Sequence, residues 1–235
     1  MKRFFIIWLS LLCVLCCQAQ QRHALIVAIA NYPKESGWNS IHSNNDLQIL
    51  LPQFDRLGFR INTLTDKQAT KKNIIQALQH LIKQLKAGDD VCLHFSCHGQ
   101  QMEDDNGDEA DELDEALIPY DAQSTYQKGI YEGENHLRDD ELEKFLISIR
   151  QKIGIDGSVL ITFDACHSGT ANRIEEYVED DDAPIRGTNV IFSSNPFYIA
   201  PGNKHIERKT KLAQQNGLSP ICIISACQPF QRNFE

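Results

Sequence analysis

Val91–Phe95 reads VCLHF and opens into Ser96-Cys97-His98-Gly99, while Val159–Phe163 reads VLITF and opens into Asp164-Ala165-Cys166-His167-Ser168-Gly169. Each apolar run reads as a buried strand of a parallel sheet that ends in a polar loop. Reactive groups in open α/β sheets gather at the carboxyl ends of the strands. If the two strands are neighbours, His98 and Cys166 face each other across one crevice. That pair is the minimum equipment for thiolate chemistry.

Outward from these runs, Ala24–Ala30 is a continuous apolar stretch and the expected first strand. Leu47, Leu50, Leu51, Phe54 and Leu57 have helical spacing and predict a helix over Asp46–Leu57, with Pro52 as a kink point. Phe59–Leu64 alternates as a second strand. Thr70 caps a helix that carries Ile74, Ala77, Leu78, Leu81, Ile82 and Leu85 on one face, and Gly88 is expected to end it. Asp139 or Asp140 opens another helix through Leu142, Phe145, Leu146 and Ile149. Ile221–Ser225 follows as a fifth strand. Strands alternating with helices predict an α/β fold, a mainly parallel sheet flanked by helices.

Lys2-Arg3, the apolar run Phe4 to Cys17 and the following Gln18-Ala19-Gln20 give residues 1–19 the form of a signal peptide. The run is short for a membrane span. The expectation is an exported protein, periplasmic or secreted, with no stable membrane insertion after cleavage and one domain over residues 20–235. Without residues 1–19 the chain has 21 basic and 32 acidic side chains, a balance of −11. That excess argues against a nucleic-acid partner and suits a basic substrate. Of eight cysteines, Cys13, Cys16 and Cys17 leave with the signal; an odd number remains, so at least one thiol is free.

Cys166 is the expected nucleophile. A free thiol is only a few per cent thiolate at neutral pH and needs a partner. His98, one strand over, can hold the thiolate and later protonate the leaving amine. His167 adjoins Cys166, and adjacent side chains on an extended segment point apart. Cys97 adjoins His98 in the same way and is read as packing. Cys92, His94, Cys97 and His98 are too tightly spaced to converge on a tetrahedral zinc. Residues 103–115 hold nine acids, and Asp104, Asn106, Asp108 and Glu115 mimic ligand positions of an EF-hand. Glu109 stands where that loop requires glycine, so an EF-hand is rejected.

The two loops resemble those of the caspase-like cysteine peptidases, and specifically the metacaspases. That family carries its histidine in a Ser-Gly-His-Gly loop and its cysteine in an Asp-x-Cys-His-Ser-Gly loop; Cys97 stands here in place of the glycine. Ala24–Asn31, Asn45-Asp46, Gly107-Asp108-Glu109 through Asp114-Glu115, Pro119-x-Asp121 and Asp139-Asp140-Glu141-Leu142 agree in order. The resemblance implies a cysteine endopeptidase of protein or peptide substrates with a His98–Cys166 dyad. It further implies oxyanion donors at the Gly99 and Cys166 N–H groups, and a pocket for arginine or lysine lined by Asp46, Ser96 and Asp164. No cofactor is required for the chemistry. Calcium is an expected activator, held by aspartates at Asp121, Asp139 and Asp140. The alternatives are an inactive caspase-like interaction module or a related protease of other specificity. The caspase-like sheet has six strands and the chain ends at Glu235, so the last strand and helix are expected to be missing. The stretch 170–218 is expected to loop over the edge of the active site.

Overall fold

The computed structural model describes residues 20–107, 109, 112–165, 186–188, 190–198 and 217–226. Within them, β1 (Arg22–Ala28), β2 (Phe59–Thr65), β3 (Asp90–Ser96), β7 (Ser158–Asp164) and β8 (Ile221–Ser225) form one sheet in the order β2-β1-β3-β7-β8. Every neighbouring pair is parallel. β3 is central and buried along nearly its whole length, which is why VCLHF is a continuous apolar run rather than an alternating one.

Three helices cover the sheet: α1 (Asn44–Arg56), α2 (Lys71–Gln84) and α3 (Asp139–Ile153). α2 starts at Thr70, whose side chain accepts the Asn73 N–H, as the sequence predicts. Its Ile74, Leu78 and Leu81 and the Leu146, Ile149 and Ile153 of α3 join Leu25, Val27, Leu93 and Phe95 in one apolar core. Each such buried side chain contributes about 1.5–3 kcal/mol relative to an exposed one. The end of α2 differs from expectation. The helix stops at Gln84, Leu85 is already extended, and Gly88 (φ 86°) belongs to the turn beyond, where its N–H donates to the Ile153 carbonyl. α1 encloses Pro52 and has no fully buried residue.

A second sheet was not foreseen. β4 (Gly99–Glu103), β5 (Leu113–Leu117) and β6 (Leu137–Arg138) pair antiparallel directly after His98. The acidic run is therefore not wholly a solvated loop, because Asp114 and Glu115 lie buried in β5. Among the described residues, no helix is long and apolar enough to cross a membrane.

Candidate active site

The site is built by register. Ser96 at the end of β3 stands opposite Asp164 at the end of β7. The Cys97 N–H donates to the Asp164 carbonyl at 3.3 Å, and the Ile29 N–H to the Ser96 carbonyl at 2.9 Å. His98 is two residues past Ser96 and Cys166 two past Asp164, so the two loops leave the sheet side by side. Ala165 is buried; Cys166 and His167 lie outside the described residues. The turn after β1 is pinned by Asp66, a non-glycine residue at φ 41°, which accepts the Ala30 and Asn31 N–H groups at 2.8 and 2.9 Å.

His98 is held on every side. Its backbone N–H donates to the Tyr32 hydroxyl at 3.1 Å, and that hydroxyl donates to the Ile118 carbonyl at 2.9 Å. The imidazole stacks on Trp38 with centroids 4.9 Å apart and lies 5.1 Å from the Tyr32 ring. Its Nε2 is 2.8 Å from the Asn39 carbonyl oxygen. A carbonyl only accepts, so Nε2 carries the proton and Nδ1 is the basic nitrogen of the neutral ring. Cys97 is buried, and burial pushes its thiol up to about 12. It packs as a neutral side chain, as the sequence predicts.

Asp46, Ser96 and Asp164 come together, and they do so around Arg186. The Arg186 Nη1 lies 3.1 Å from Asp164 Oδ2 and 3.7 Å from Asp46 Oδ2, and it donates to Ser96 Oγ at 2.5 Å and Ser43 Oγ at 3.2 Å. The Gly99 N–H donates to the Arg186 carbonyl at 3.3 Å. Thus the guanidinium fills the expected basic pocket while the carbonyl sits on an expected oxyanion donor. Burial raises the Asp46 carboxyl, but the His94 ring, the Ser96 hydroxyl and the Arg186 charge outweigh it and hold that carboxyl below its ordinary range.

The acidic residues divide in two. Asp121 caps α2: its Oδ1 accepts the Lys71 N–H at 2.9 Å, and its carbonyl accepts from Asn135 Nδ2. Asp139 feels the charge of Asp114, and Asp140 Oδ2 accepts from Asn106 Nδ2. Burial, then the charges of Asp114, Glu109 and Asp140, push the Asp139 carboxyl up to about 7. Asp114 is pushed up to about 6 by burial, despite the Arg138 guanidinium bound to its Oδ2. Asp114 Oδ1 and Asp139 Oδ1 are buried with no hydrogen-bond partner among the described residues. Asp104 and Asp105 bring carboxylate oxygens within 4.8 Å of Asp114 and of each other. A cluster of carboxylates around the buried Asp114 fits a hard divalent cation.

Sequence reasoning did not single out Tyr32, Trp38, Asn39 or Arg186. One signal for the last was legible: a single Arg-Gly pair, Arg186-Gly187, follows the acidic run Glu179–Asp182.

A family model described as the metacaspase, peptidase C14 domain matches residues 22–174. The chain is 35% identical over 127 residues to metacaspase-1B of Aspergillus fumigatus, covering 50% of this chain and 28% of that protein. It is 30% identical over 184 residues to metacaspase-2 of Arabidopsis thaliana, covering 71% of this chain and 41% of that one. A solved structure from Geobacter sulfurreducens aligns with a TM-score of 0.53 and 29% identity, over 72% of this chain and 57% of that chain. The chain thus spans less than half the length of these metacaspase relatives. The helix-flanked parallel sheet, the His98 loop at its carboxyl edge and the matched residues agree: the chain belongs to the metacaspase family of caspase-like cysteine peptidases.

Proposed function

We propose that this chain is a cysteine endopeptidase that cuts after arginine or lysine, with Cys166 as nucleophile and His98 as its proton partner. The observation that carries the reading is Arg186. Its guanidinium lies between Asp164 and Asp46 while its carbonyl oxygen accepts from Gly99, the posture required of the residue before a scissile bond. A guanidinium fork suits paired carboxylates better than any other side chain.

In the proposed reaction a substrate arginine takes the place of Arg186. Cys166 passes its thiol proton to Nδ1 of His98, and the sulfur attacks the carbonyl carbon. Charge developing on the carbonyl oxygen is met by the Gly99 and Cys166 N–H groups. The carbon–nitrogen bond breaks, and His98 protonates the departing amine. Water then attacks the thioester and yields its proton to His98. The acid product leaves and the thiol is restored.

Calcium fits as an activator. Asp104, Asp105 and Asp114 bring their carboxylate oxygens together with the Asp139 carboxyl beside them, while Asp121 accepts the Lys71 N–H through Oδ1 alone. The ion would neutralise those carboxylates. The Lys2-Arg3 and Phe4–Cys17 pattern supports export, and the acidic balance supports basic peptide partners over nucleic acid. Steady-state cleavage of matched peptides that differ only in the residue before the bond tests the reading. Cleavage of the arginine and lysine peptides alone supports it, and cleavage of an aspartate peptide in their stead overturns it.

A further inference from the structure

His94 lies on β3, four residues before His98, on the opposite face of the sheet from Leu93 and Phe95. Its Nδ1 is 2.7 Å from Thr162 Oγ1 on the neighbouring strand. On its other side Nε2 is 3.6 Å from Asp46 Oδ2. Both of these atoms are buried, and neither has a hydrogen-bond partner among the described residues. The same Oδ2 is 3.7 Å from the Arg186 guanidinium, so one carboxylate oxygen stands between an imidazole and the pocket occupant. The Thr162 hydroxyl lies 2.7 Å from Nδ1 against 3.5 Å from the Leu93 carbonyl; donating over the shorter contact, it leaves the ring proton on Nε2, whose N–H faces Asp46.

The surroundings give this contact a purpose. Asp46 sits in the first turn of α1, a helix with no fully buried residue and no side-chain cap at Ser43. Packing alone holds that turn weakly. His94, by contrast, belongs to the central strand and is fixed by Thr162. We propose that His94 is a positioning residue: it ties the Asp46 carboxylate to the sheet in the geometry that a guanidinium needs, and so sets the specificity of the basic pocket. The proposal rests on Asp46 and Asp164 forming that pocket. It assigns His94 no step in the chemistry at Cys166. Because a guanidinium is a rigid fork and an ammonium a compact point charge, loosening Asp46 penalises arginine more than lysine.

The test measures KM and kcat of the full chain on matched peptides with arginine or lysine before the bond, in His94→Met and His94→Gln, each also in an Asp46→Asn background. Methionine keeps bulk without a donor, and glutamine carries an N–H close to the Nε2 position. His94→Met should raise KM for the arginine peptide by roughly tenfold, with kcat within about twofold. The lysine peptide should lose less, His94→Gln should recover most of the loss, and His94→Met should add nothing to Asp46→Asn. If His94→Met does not fold, His94→Asn replaces it, because its amide reaches only the Nδ1 position. An unchanged KM, a loss carried by kcat, or an equal loss in the Asp46→Asn background overturns the role. If the wild-type chain cuts after neither arginine nor lysine, the pocket reading itself fails; if it does and Asp46→Asn alone raises KM, only the role of His94 falls.

Discussion

The Arg186 guanidinium lies 3.1 Å from the Asp164 carboxylate, at the end of the strand that leads to Cys166. Asp164 is two residues from the proposed nucleophile, so the proposed recognition group and the proposed attacking group are adjacent in the chain. Removing one partner of such a buried charge pair costs roughly 2–5 kcal/mol. Asp164→Asn is therefore expected to lower kcat/KM for arginine peptides by at least about 30-fold. A variant that folds and cuts them at the wild-type rate would remove Asp164 from the pocket.

On the proposed reading, Arg186 competes with substrate for the pocket. An occupant that fills the pocket nine-tenths of the time weakens apparent affinity about tenfold. Arg186→Ala should therefore lower the apparent KM for added arginine peptides without raising kcat for the chemical step. An unchanged KM, measured from initial rates, would mean that the linker does not hold the pocket against substrate.

His98 has its Nε2 committed to the Asn39 carbonyl, so the proposed proton relay would run through Nδ1. His98→Ala should reduce turnover by about 10²–10⁴, the usual scale for a positioned acid–base group. Alkylation of Cys166 at neutral pH should slow in parallel, as the thiolate loses its partner. A folded variant with unchanged alkylation and turnover would exclude His98 as that partner.

The acidic cluster sets a pH dependence of stability. Asp139 holds its proton up to about 7 in the folded protein, against 3.8 ordinarily. Between those values the folded state binds the extra proton, so without divalent cations stability falls as pH rises through the window. Asp139→Asn should raise the chelated protein's Tm at pH 8 by about 2 °C or more and should abolish any calcium-induced rise. A lower Tm in chelator, or an intact calcium response, would contradict the cluster's role.

The main sheet was legible because a parallel strand covered on both faces must be apolar throughout, as Leu25–Val27, Val91–Phe95 and Val159–Phe163 are. The second sheet was not, because β4 and β5 bury polar side chains. Gln100 donates to the Ser124 and Val190 carbonyls, and Asp114 is bound by Arg138. Such strands look like loop sequence, since their burial depends on distant hydrogen bonds rather than on local hydropathy. The His98 loop at the end of β3 and the convergence of Asp46, Ser96 and Asp164 were legible as motifs. Arg186 was not, because no spacing or periodicity ties it to Ser96, 90 residues away. Asp121 shows a related ambiguity: a carboxylate in a motif can bind a cation or cap a helix, and its contact with the Lys71 N–H is not readable from local sequence.

The central claim is tested most directly by mapping, by mass spectrometry, every bond cut in a mixture of denatured proteins by the wild-type chain and by Cys166→Ala. The account predicts that the wild-type cuts all follow arginine or lysine and that Cys166→Ala makes none of them. Cuts after aspartate, or the same cuts made by Cys166→Ala, would contradict it.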